Sequence, residues 1–185
     1  MHRPLYLAVC AAVVVGHYSR HKPPAQQTAP SMVRFDGPAD QWFAAMKPFC
    51  NAVEAEVAQR QHPAPRTVEG QGFSAACYAL GGKVAAARAV IDRLRAEDQY
   101  RAAGIVFDVA HPVADAGDDR SAGPIMELVI DYWPNNYMAL YHAGMSEFAL
   151  GQSALARSHL EAFLSSYHQN DGWTQNARDV LARLR

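Results

Sequence analysis

From Asn135 to Asp171 the chain reads NNYMALYHAGMSEFALGQSALARSHLEAFLSSYHQND, and its apolar positions step by three and four. That period predicts two amphipathic helices, antiparallel and joined at Gly151. The first carries Leu140, Ala143 and Gly144 on one face; the second carries Leu155, Ala156, His159, Leu160, Phe163, Leu164 and Tyr167. Small residues at Ala143, Gly144 and Ala156 let two helices approach closely. The same marks recur upstream. Turn glycines fall at Gly82, Gly117 and Gly151, and small second-helix residues at Ala87, Ala122 and Ala156, spaced 35 and 34 in both series. Ala75, Ala110 and Gly144 on the first helices repeat that spacing. A fixed period of this size is the mark of a stacked helical array. The expected fold class is all-α.

This register resembles the tetratricopeptide repeat, with its small residue in the first helix, Gly at the turn, Ala early in the second helix and an Asn-rich junction. The resemblance covers residues 70–171 and implies a short right-handed superhelix of about three helix-turn-helix repeats with N- and C-terminal capping helices. It also implies a non-catalytic scaffold, because such repeats bind protein or peptide partners along the concave face of their first helices. Carried over by register, the groove positions are Phe107, His111 and Asp115 in the second repeat and Tyr141, Met145 and Phe148 in the third. The family's Lys, Arg and Asn clamp for peptide C-terminal carboxylates is missing at these positions. An apolar groove is expected instead, with self-association of the array as an alternative.

The flanks read as caps, since an array must cover its exposed ends. Residues 39–69 predict N-terminal capping helices interrupted at Pro48, with Trp42, Phe43 and Phe49 turned toward the first repeat and Val53, Val57 and Gln61 along one side. Residues 172–185 predict a closing helix N-capped by Asp171, with Trp173, Ala177, Val180, Leu181 and Leu184 inward and Thr174, Gln175, Arg178 and Arg183 outward. Within the second repeat, Pro112 is expected to kink or shorten the first helix. Asp118, Asp119 and Ser121 are the candidate caps of the helix that follows. In the third repeat Glu147 stands where the repeat usually has an aromatic residue.

Composition changes the picture mainly at the N-terminus. Residues 1–18 hold a short basic start, an apolar run from Leu5 to Val15 and Gly16, which predicts a signal peptide or an N-terminal membrane anchor. Residues 19–38 are rich in Pro and read as a flexible linker. The protein is therefore expected to be exported or membrane-tethered, and cytoplasmic if that segment is not a targeting signal. Cys10 lies in the apolar run, leaving Cys50 and Cys77 as the cysteines of the folded part. In an oxidising compartment that pair is expected to form a disulfide; otherwise the two are buried thiols filling gaps between helices.

Candidate chemistry is sparse. The net charge is −1 with no basic run, so nucleic acid is not an expected partner. A phosphate-binding loop and a nucleophile elbow are both missing. Asp108, His111 and Asp115, spaced three and four, share one helix side and form the alternative reading, a metal-binding protein or enzyme. With no Cys or second His at a supporting spacing, neither a metal nor a cofactor is expected there.

Overall fold

The computed structural model describes residues 38–184. The segment predicted to be a targeting signal, Cys10 within it, and the predicted linker up to residue 37 lie outside the described residues. Among the described residues the chain is all-helical and has no strand. The elements are α1 (Ala39–Met46), α2 (Ala55–Gln61), α3 (Val68–Leu80), α4 (Val84–Ile91), α5 (Ala96–Asp115), α6 (Asp119–Tyr132), α7 (Tyr137–Ala149), α8 (Ser153–Ser166) and α9 (Gly172–Arg183). None of these helices is long and apolar enough to cross a membrane.

Helices α3–α4, α5–α6 and α7–α8 form three hairpins with the same turn. Gly82, Gly117 and Gly151 have φ of 70°, 88° and 75°, left-handed values that an L side chain rarely adopts. At each turn two backbone bonds close the first helix. Lys83 N–H donates to Tyr78 and Gly82 N–H to Ala79; Asp118 donates to Val113 and Gly117 to Ala114; Gln152 donates to Glu147 and Gly151 to Phe148. Each pair is a Schellman motif, which satisfies carbonyls left over at a helix end. The residue after each glycine is also the N-cap of the next helix, with φ/ψ of −94°/55° at Lys83, −90°/58° at Asp118 and −84°/62° at Gln152. The chain thus reverses three times by one local solution.

Small residues set the helix separations. A Cβ on Gly72 of α3 would lie 2.7 Å from Ile105 Cδ1 of α5, and one on Gly144 of α7 would lie 2.7 Å from Leu160 Cγ of α8. The α6–α7 contact is tighter still: a Cβ on Gly123 would lie 2.3 Å from Ser146 Cβ. Ala75, Ala87, Ala110, Ala122 and Ala156 are all buried. One apolar core runs from Trp42 through Met126 and Leu128 to Ala143, and a second joins Leu140, Leu160 and Phe163 to Ala177 and Val180 of α9.

The N-terminal end is stapled. Cys50, just after a 3-10 turn at Lys47–Phe49, is bonded to Cys77 of α3 with S–S 2.05 Å and Cα–Cα 4.7 Å. Phe43 stacks on Phe73 with centroids 4.9 Å apart, and Trp42 Nε1 donates to the His62 carbonyl at 3.0 Å.

Several expectations need correction. Helix α5 is not shortened at Pro112; it runs through it to Asp115. The proline sits in the last turn, where the one helical donor it removes is that of the Asp108 carbonyl. Phe49 is exposed and not turned toward the first repeat; α2, which begins only at Ala55, turns Ala55, Ala58 and Gln59 inward. Thr174 is buried, not outward: it closes a capping box with Asp171, its hydroxyl oxygen accepting from the Asp171 N–H at 3.2 Å while Asp171 Oδ1 accepts from the Thr174 N–H at 3.2 Å.

Candidate functional site

On α5 the positions Tyr100, Gly104, Phe107, His111 and Asp115 recur at four and three and so lie on one face. The aromatic members connect across neighbouring elements. Tyr100 meets Trp133 at 4.8 Å between centroids, Trp133 meets Phe107 at 6.1 Å, and Phe107 stacks on His111 at 4.6 Å. His111 then meets His142 of α7 at 5.2 Å, and His142 meets Trp173 of α9 at 5.8 Å. The result is one aromatic strip crossing three helices and the end of a fourth. Its ends reach solvent, Tyr100 at 51% exposure and Trp173 at 36%.

Two imidazoles and a carboxylate meet in the middle of this strip. His142 is 2% exposed, and its Nδ1 lies 3.2 Å from Asp119 Oδ1, at the first position of α6. With Asp119 ionised, that contact assigns the His142 proton to Nδ1 and leaves a lone pair on Nε2. His142 Nε2 and His111 Nε2 each lie 3.4 Å from Asp115 Oδ1. Neither Nε2 makes a hydrogen bond, although both are buried. One ligand atom from each of His111, Asp115 and His142 can be chosen so that all lie within 4.8 Å of one another. Burial holds the His111 pKa below its ordinary value, with Asp115 and Asp108 opposing that shift and His142 adding to it. Chemically, the site offers two imidazole nitrogens and one carboxylate oxygen.

The structure rearranges the residues that spacing brought together. Asp108 lies on the same helix but is not a member of this group; His142 takes its place. The groove positions also divide. Phe107, His111 and Asp115 line the strip, whereas Tyr141 does not face an open groove. It is 4% exposed, packs edge-on to Phe163 and Trp173 at 5.1 and 5.0 Å, and accepts a hydrogen bond from Asn176 Nδ2 at 2.6 Å. Met145 and Phe148 pack into the same core. The physical reason is α9, whose apolar face covers the part of α7 that would otherwise be open.

Sequence spacing missed His142 and Trp173, and read Asp119 as a helix cap. The signal for His142 was present in the register: 142 − 34 = 108, so it occupies on α7 the position that Asp108 holds on α5, one turn from His111. A second polar pair was also missed. Glu147 is 1% exposed, with both carboxylate oxygens 2.9 Å from His159 Nδ1. Burial raises the Glu147 pKa, and the hydrogen bond from His159 partly opposes it.

No family model, curated protein or solved structure matches this chain.

Proposed function

We propose that the protein is a non-catalytic scaffold of the tetratricopeptide type, a short right-handed superhelix that binds a peptide or protein partner along its first helices. The observation that carries this reading is the aromatic strip from Tyr100 to Trp173. Large, rigid aromatic side chains give contact area at low entropic cost and accept both apolar and polar neighbours, which is why they anchor interfaces. The three identical hairpin turns at 35- and 34-residue spacing support the repeat assignment. The partner face is thus shifted from the predicted groove: Phe107, His111 and Asp115 belong to it, and Tyr100 and Trp173 bound it in place of Tyr141, Met145 and Phe148.

The protein acts outside the reducing cytoplasm, exported or tethered through its N-terminus. The Cys50–Cys77 disulfide supports that placement, because such bonds persist in oxidising compartments.

Photo-crosslinking in the native envelope tests the scaffold reading. A crosslinkable residue at Tyr100 or Trp173 should capture one partner, whereas the same residue at exposed Leu155 on α8 should not. Tyr100→Ala with Trp173→Ala should abolish copurification of that partner while leaving the helical circular dichroism intact. Equal capture from Leu155, or an undiminished yield from the double variant, refutes the assignment. Crosslinks only between copies of this chain would replace a foreign partner with self-association.

A further inference from the structure

We infer that His111 Nε2, Asp115 Oδ1 and His142 Nε2 together bind one divalent transition cation of the zinc, cobalt or nickel class. The inference does not rest on the scaffold reading. It starts from two buried ring nitrogens that make no hydrogen bond. A buried, unpaired acceptor is unfavourable, and here two of them converge on one carboxylate oxygen at 3.4 Å each. Tetrahedral binding with metal–ligand bonds of about 2.0–2.1 Å places neighbouring donor atoms about 3.3–3.4 Å apart. Both nitrogen–oxygen edges already have that length. For the remaining edge, a ligand nitrogen of each imidazole lies within 4.8 Å of one on the other, and a bound cation would draw the two rings together.

The surroundings match a metal site as well as the donors do. Asp119 accepts a hydrogen bond from the Nδ1–H tautomer of His142, the carboxylate–histidine arrangement that fixes the tautomer and makes Nε2 the better ligand. The rest of the group is equally constrained, since Phe107 stacks on His111 and Trp173 meets the edge of His142. Two imidazoles favour zinc, cobalt or nickel over magnesium or calcium, which prefer all-oxygen sites. Three protein ligands leave at least one position for water or for a donor from a bound partner. A cation there would also tie α5 to α7, at the middle of the aromatic strip.

The test uses tag-free, chelator-treated full-length protein titrated with Co²⁺, Ni²⁺ and Zn²⁺. One equivalent should bind, Mg²⁺ at a large excess should not displace it, and bound Co²⁺ should develop visible absorption from a site with imidazole ligands. Because Trp173 lies 5.8 Å from His142, bound Ni²⁺ or Co²⁺ should quench indole fluorescence, and Trp173→Phe should remove most of that quench. Asp119→Asn should weaken binding by about 10–100-fold, and Asp115→Asn and His111→Gln by more. Asp108→Asn should change it little. Asp115 is exposed, so the Asp115→Asn variant keeps its fold and remains informative even if His142→Gln does not. Failure of the wild type to bind any of the three metals overturns the inference. So does one-equivalent binding that survives Asp115→Asn with His111→Gln, because the other histidines of the chain would then hold the ion.

Discussion

Gly123 lies inside α6, where helix propensity alone favours alanine by about 1 kcal/mol. The tertiary structure reverses that expectation. A Cβ at this position would sit 2.0 Å from Ser146 Oγ and 2.3 Å from Ser146 Cβ on α7. Rotating the serine removes the first clash but not the second, because Cβ is fixed to the helix backbone. Carbon atoms rest about 3.5–4.0 Å apart, so α6 and α7 must separate by more than about 1 Å, loosening contacts around Ala122, Met126, Ala139 and Ala143. Overpacking of this kind costs about 1–3 kcal/mol, and here relief by side-chain rotation is unavailable. After the propensity gain, Gly123→Ala should still destabilise, by up to about 2 kcal/mol, lowering Tm by up to about 6 °C. Urea and thermal unfolding followed by circular dichroism, with the disulfide kept oxidised, provide the measurement. Ser146→Gly removes the obstructing Cβ and leaves Ser146 Cα at 3.8 Å, an ordinary contact. The double variant should therefore show a coupling of at least about 1 kcal/mol. Gly172→Ala, which meets nothing within 4 Å, should be neutral or slightly stabilising. Gly123→Ala more stable than the wild type, or a strictly additive double variant, would refute the close α6–α7 contact.

Other outcomes follow from the same contacts. Tyr141→Ala should cost about 3–5 kcal/mol, since the ring is in the second core, while Tyr141→Phe should lose only the Asn176 hydrogen bond, about 1 kcal/mol. Denaturant titration of both variants checks this, and a near-neutral Tyr141→Ala would return the ring to the surface. Opening the Cys50–Cys77 bond, whose partners are 27 residues apart, should remove about 3.5 kcal/mol by loop-closure entropy. Urea unfolding with and without reductant measures it, and Cys50→Ala with Cys77→Ala should make the reductant irrelevant. Glu147 has a folded-state pKa above its ordinary 4.5, so the folded protein holds that proton more tightly than the unfolded chain. Its contribution is full below the unfolded value and is lost as pH rises through the folded one. Glu147→Gln should therefore gain stability relative to wild type as pH rises above 4.5; a relative loss on raising the pH would show that the His159 pair outweighs burial.

What the sequence determined by itself is local. Helix positions follow from three-and-four periodicity, which needs only a helix and a buried side. The hairpin turns were legible because a left-handed turn selects glycine whatever lies beyond it, as at Gly82, Gly117 and Gly151. Asp171 and Asp118 were readable as caps for the same reason: their hydrogen bonds reach only two or three residues along the chain. Even so, local rules misjudged Thr174, where the capping box decided the outcome, and α5 is not shortened at Pro112, which lies in its last turn.

Only the tertiary structure decided which polar groups meet. His111 and His142 are on different helices, and their rings come together because α5 and α7 both pack on α6, which carries Asp119, the hydrogen-bond partner of His142. Spacing along one helix pointed to Asp108, which shares a face with His111 but does not join its cluster. Tyr141 was assigned to an open face by register, yet α9 folds over it, and nothing in the residues near Tyr141 specifies where a helix thirty or more positions downstream will dock. Periodicity reports that a side is buried; the choice of what buries it belongs to long-range packing, where volume, not pattern, selects the neighbour.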